Sequence, residues 1–156
     1  MSKYFYLIAG LPEVALDDGR RPYTVADFKA EVMPMLSAAD RQLFSCFFLQ
    51  YDHRNVLSML QRTETVWDTR GTVTRDDVEA VLAALKEEEP LPRTALPADL
   101  VDFMREYLQA AEEGRTTDPV LWQDRMSALY FRYAMGMKNA FVSAWYELNL
   151  NIANVL

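Results

Sequence analysis

The chain has one cysteine, one histidine and five glycines among its 156 residues. A lone Cys46 forms no internal disulfide, and its neighbours Phe44, Phe47 and Phe48 mark it as a buried small hydrophobe rather than a reactive thiolate. His53 has no second histidine and no nearby cysteine to complete a metal pair, so no metal site is expected. Its place between Asp52 and Arg54, near a helix start, reads as that of a surface or capping residue. Gly10, Gly19, Gly71, Gly114 and Gly136 are scattered, which excludes a P-loop or dinucleotide loop, and neither an HExxH nor a GxSxG motif is present. No stretch approaches the roughly twenty apolar residues of a membrane span, and the apolar run at residues 4–11 lacks the longer core of a signal peptide. Sixteen Lys and Arg against 23 Asp and Glu leave a net charge of −7, with no basic run to neutralise phosphates. The expectation is a cytoplasmic chain with no nucleic-acid partner, no direct membrane insertion, no cofactor and no small-molecule substrate.

What the chain does have is apolar mass and helix punctuation. A hydrophobic content of 51%, with three Trp, eight Tyr and eight Phe, suffices for a sizeable core and argues against disorder. Thr24 with Asp27, Ser37 with Asp40 and Thr74 with Asp77 each carry the spacing of a helix-opening capping pair. Pro34 breaks the first of these helices. Leu43, Phe44, Phe47, Phe48 and Tyr51 recur at three- and four-residue spacing, which predicts a helix over residues 38–51. Whether Asp52 then starts a new helix or interrupts one is open at this level. The segment WDTRGT at residues 67–72 reads as a loop with a glycine turn, and Val78, Val81, Leu82 and Leu85 form the next apolar face.

Residues 87–97 hold three acidic residues and three prolines, the composition of an extended linker. This divides the chain into a first helical bundle at residues 1–90 and a second, incomplete bundle at 91–156. Leu100, Phe103, Met104, Tyr107 and Leu108 predict a helix that Gly114 stops. Asp118 and Pro119 open the last helix, where Trp122, Met126, Leu129, Tyr133, Met137, Ala140, Ala144 and Leu148 predict one unbroken stripe. The fold class is all-α: one or more helical bundles, with a short strand competing only at residues 4–9. Paired carboxylates such as Asp76 and Asp77 or Glu112 and Glu113, and the run Glu87, Glu88 and Glu89, fall at helix ends or polar faces as solvated charges. No catalytic residue is assigned.

Two segments echo each other. Asp52-x-x-Asn55-Val-Leu and Asn151-x-x-Asn154-Val-Leu both follow an aromatic-rich amphipathic stretch. An Asp or Asn three residues before an Asn can cap a helix start while the second side chain reaches a neighbouring backbone, so Asp52, Asn55, Asn151 and Asn154 are expected to be structural residues fixing a bend.

With the segments KYFYLIAGLPEVALDD, LSAADRQLFSCFFLQYDHRNVLSML and FVSAWYELNLNIANVL, the chain resembles a bacterial family whose genes accompany those of V-type (A-type) ATPases. That family is in turn similar, over short motifs, to the C/d family of rotary-ATPase socket proteins, all-helical and built of three related bundles with a recurring aspartate-x-x-asparagine motif. The resemblance implies a non-catalytic coupler that links the soluble central stalk to the membrane rotor ring, with the protein subunits of both as partners. Placement would then be cytoplasmic, peripheral to the inner membrane through protein contacts. It carries over Asp52 and Asn55, with Asn151 and Asn154, as framework residues. The chain holds fewer bundles than the socket proteins and ends at Leu156 inside an apolar segment, which reads as a fragment or as a helix completed by a partner. The alternative is a small cytosolic helical adaptor unrelated to rotary motors.

Overall fold

A computed structural model describes residues 24–63 and 66–155, with the side chains at 146 and 149–155 outside the description. Six α-helices appear among these residues: α1 (Val25–Glu31), α2 (Ala38–Leu60), α3 (Arg75–Lys86), α4 (Ala98–Glu112), α5 (Pro119–Gly136) and α6 (Ala140–Val155). No strand occurs among the described residues, so the fold is all-α. The stretch 4–9, where a strand competes with a helix, lies outside them.

The chain divides into residues 1–42 and 43–156. In the first unit, Thr24 and Asp27 form a complete capping box at the start of α1. The helix gives way to a short 3₁₀ turn at Met33–Met35, where Pro34 removes a backbone donor.

In the second unit one core gathers Val56, Leu57 and Leu60 of α2, Val78, Val81 and Leu82 of α3, Leu100, Phe103 and Met104 of α4, and Trp122, Met126 and Leu129 of α5. The bundle boundary expected at residue 91 lies within this unit, and the core draws on both sides of it. Trp122 sits within this core, 1% exposed, with the rings of Phe103 and Tyr107 edge-on at 5.4 and 4.8 Å. Its indole N–H donates to the Thr116 carbonyl, so the large apolar ring is buried without stranding its one polar atom.

Two helix boundaries differ from expectation. Helix α2 runs unbroken through Asp52 to Leu60, and at 23 residues it is the longest among those described. The stripe from Trp122 to Leu148, by contrast, is two helices. Helix α5 ends at Gly136, Lys138 takes a left-handed backbone with φ of 51°, and Asn139 reopens the chain by accepting from the Phe141 and Val142 amides. The periodicity carries across the break because apolar residues flank it on both sides, and periodicity alone does not register a change of helix axis. Beyond the break the buried position shifts to Val142, while Phe141 and Leu148 are 63% and 56% exposed.

Three helices end in the same way. After α2, α3 and α4, Arg62, Glu88 and Gly114 adopt positive φ, and the amides of Thr63, Glu89 and Arg115 reach back to the Ser58, Ala84 and Ala110 carbonyls. This is the Schellman closure, in which a left-handed residue turns the chain so that otherwise orphaned carbonyls are satisfied. Glycine occupies that position only after α4, where Gly114 stops the helix as its place in the sequence implies.

Candidate functional site

The most constrained polar feature centres on the middle of α2. Asp52, Asn55, Val56, Leu57 and Leu60 lie on its inward face, and Asp52 is fully buried. Its carboxylate is spent on the chain segment ahead of α3: Oδ1 accepts from the Thr72 amide at 2.7 Å and the Val73 amide at 2.9 Å, and Oδ2 accepts from the Thr72 hydroxyl at 2.7 Å. One helical turn further, Asn55 grips the same loop at a second point. Its Nδ2 donates to the Asp68 carbonyl at 2.9 Å, and its Oδ1 accepts from the Asp68 amide at 3.0 Å. The amide side chain thus mimics a strand neighbour, pairing with both backbone groups of one residue.

Gly71 makes the approach geometrically feasible. A Cβ at that position would stand 2.1 Å from Asp52 Oδ1, so any side chain there displaces either the loop or the carboxylate. A further tie runs along the rim. Arg70 donates to both carboxylate oxygens of Asp68 and lies over the Tyr51 ring at 4.3 Å. The Arg70 hydrogen bond holds the Asp68 carboxyl below the usual carboxylate range. The aspartate-x-x-asparagine spacing therefore pins a loop to one helix face. It does not cap a helix start, because α2 continues unbroken through it.

Asp52 and Asn55 are thus brought together on one structural task. Asn151 and Asn154 lie in α6, and their side chains fall outside the described residues.

His53 departs from expectation. It is 3% exposed, its ring packs edge-on against Tyr130 at 5.4 Å, and both ring nitrogens lack a partner among the described residues. Because α2 does not break at 52, residue 53 falls on the buried stripe set by Leu49, Val56, Leu57 and Leu60. Desolvation pushes its pKa down to about 4, so the imidazole is neutral at physiological pH. It borders a cleft of about 330 Å³ between α2 and α5, with Gln50, Arg54, Gln123 and Tyr130. Tyr130 in turn donates its hydroxyl proton to the Cys46 carbonyl at 2.8 Å, and burial raises its own pKa. Cys46 is 1% exposed, and burial pushes its thiol pKa up, which agrees with a packing role. Among the described residues, no group of three or more His, Cys, Asp or Glu side chains is placed to hold a metal ion.

The last feature is apolar. Helix α6 carries a single charged residue, Glu147, in its 16 positions. Phe141, Trp145 and Leu148 follow one another at four- and three-residue spacing and are 63%, 43% and 56% exposed. Phe47 of α2 meets the first two rings edge-on at 6.3 and 5.9 Å, so the aromatic surface continues from one helix to the other. No helix among the described residues is long and apolar enough to cross a membrane.

Fold and site together define an all-helical protein whose longest described helix clasps its own connecting loop and whose last helix presents an aromatic face. A family profile matches residues 1–156, and the chain belongs to that family, DUF2764, described as a protein of unknown function. No curated protein and no solved structure matches the chain.

Proposed function

We propose that the chain is a non-catalytic coupling component of a V-type (A-type) rotary ATPase, joining the soluble central stalk to the membrane rotor ring through protein contacts. The observation that carries this reading is the exposed aromatic face of α6. Contiguous exposed apolar surface is a feature of interaction sites, and Phe141, Trp145 and Leu148 supply large side chains of the kind that anchor protein interfaces. The face lies within the segment FVSAWYELNLNIANVL, one of the three on which the sequence resemblance rests. A coupler needs a stiff body and a docking face, and the clasped loop on α2 contributes to the first requirement. The second reading, a helical adaptor outside any rotary motor, draws on the same face with a different partner.

Co-purification separates the two. The full chain is expected to co-purify with the stalk and ring subunits, and Phe141→Asp with Leu148→Asp is expected to abolish that association while leaving the helical content and thermal transition unchanged. A deletion strain whose ATPase assembles and couples normally would overturn the coupling role and leave the adaptor.

A further inference from the structure

A second surface forms where α3 ends and the chain turns toward α4. There a groove of about 490 Å³ opens between the two helices. Its floor is apolar: Leu85 and Leu108 pack onto the core, and Leu91, 45% exposed, belongs to the same lining. Its rim is acidic, formed by Glu88 and Glu89 at the end of α3 and Glu112 at the end of α4. Among the described residues the one cation of the lining is Arg105, already ion-paired with Asp102 on its own helix. The groove therefore presents a strip of leucines bordered by excess negative charge, on a chain of net charge −7.

The backbone adds a second observation. Glu88 occupies the left-handed position of the α3 closure, with φ of 55°, where glycine is the favoured residue and where Gly114 sits at the end of α4. The side chain placed there at a conformational cost is one of the three carboxylates on the rim.

We infer that this groove is a docking site for an amphipathic helix of a partner protein, one whose leucine-type stripe is flanked by Lys or Arg. The leucine floor takes the stripe, and Glu88, Glu89 and Glu112 meet the basic flanks. An anionic lipid surface or a nucleic acid would meet the same rim with like charge. The inference does not rest on the rotary-motor reading, since it involves neither α6 nor the clasped loop.

The test uses the full chain and a labelled synthetic peptide of about 15 residues, long enough to hold a helix, with Leu along one face and Lys on its flanks. Binding is expected in the micromolar range at low salt and weaker by about tenfold or more in high salt, as screening of a charged rim requires. Amide shift perturbations should centre on Leu91, Leu108, Gln109 and Glu112. Glu89→Lys with Glu112→Lys should lower affinity at least tenfold, whereas Asp76→Lys with Asp124→Lys, which changes the net charge by the same amount elsewhere, should leave it within twofold. Glu88→Gly should weaken binding about threefold while raising Tm by about 3 °C, a combination that loss of folding does not produce. Absence of binding, perturbations centred elsewhere, equal binding of a peptide with Glu in place of Lys, or indifference to the Glu89 and Glu112 changes would each overturn the proposal.

Discussion

Replacing Asp52 with alanine is expected to destabilise the chain by about 4 kcal/mol, measured as a lower urea midpoint with an unchanged slope. At least three hydrogen bonds are lost at once, and the buried Val73 amide is left without an acceptor. The desolvation cost of that stranded donor, added to the loss of the remaining bonds, makes the effect large. Gly71→Ala should cost about 2 kcal/mol by a different route, since the added methyl must push against Asp52 Oδ1 at 2.1 Å. The two routes meet at a single contact. With Asp52 already alanine, the two nearest atoms facing a methyl at 71 are gone and the Asp52 backbone nitrogen stands at 3.3 Å, so the double variant should cost less than the sum of the singles by about 1 kcal/mol. Additive losses would show that the loop is held by something other than this carboxylate.

The second large effect concerns acid. His53 is neutral in the folded chain with a pKa of about 4, against an ordinary value of 6.5 for an exposed histidine. The unfolded chain therefore takes up a proton at pH values where the folded one does not, and folding loses free energy as pH falls from about 6.5 toward 4. A shift of this size corresponds to about 3 kcal/mol across the whole window, with none lost above it. His53→Phe keeps a ring against Tyr130 and removes the proton, so the stability difference between variant and wild type should be constant above about pH 6.5 and grow as pH falls from there toward about 4. A pH-independent difference would show that the imidazole is solvated. The reading has a direct check, because the chain has a single histidine. Its imidazole proton resonances should stay in the neutral position down to about pH 5.

The helix starts are legible in the sequence because capping is a local act. Thr24 with Asp27, Thr74 with Asp77, and Asp118 ahead of Pro119 all perform as their spacing implies. The linker composition at residues 87–97 is equally informative, since irregular backbone connects α3 and α4 there. What stays hidden depends on tertiary partners. Asp52 has the chemistry of a cap, and only the arrival of Thr72 and Val73, twenty and twenty-one residues later, explains why it sits in mid-helix. His53 inherits its burial from that uninterrupted helix. The signal that exposes both is the spacing of Leu49, Val56, Leu57 and Leu60, which continues the stripe of α2 through two polar positions. Gly71 looks like a turn residue in the sequence, whereas its defining constraint is the carboxylate beside it. The break at Lys138 and Asn139 is masked because the apolar pattern continues on both sides of it.

The clasp also sets where this chain can tolerate extra residues. Asp52 and Thr72 stand twenty positions apart, and the entropy of closing a loop grows only with the logarithm of its length, so even doubling that span adds about 0.6 kcal/mol. Residues inserted between the end of α2 and Trp67 would lengthen the connection ahead of both anchor points and leave the distance between those points unchanged. A single residue inserted between Asp68 and Thr72 is a different matter, because Asn55 holds one end of that short stretch and Asp52 the other, one helical turn apart on a rigid rod. The spacing between the two anchor points on the loop is thus fixed by the pitch of α2.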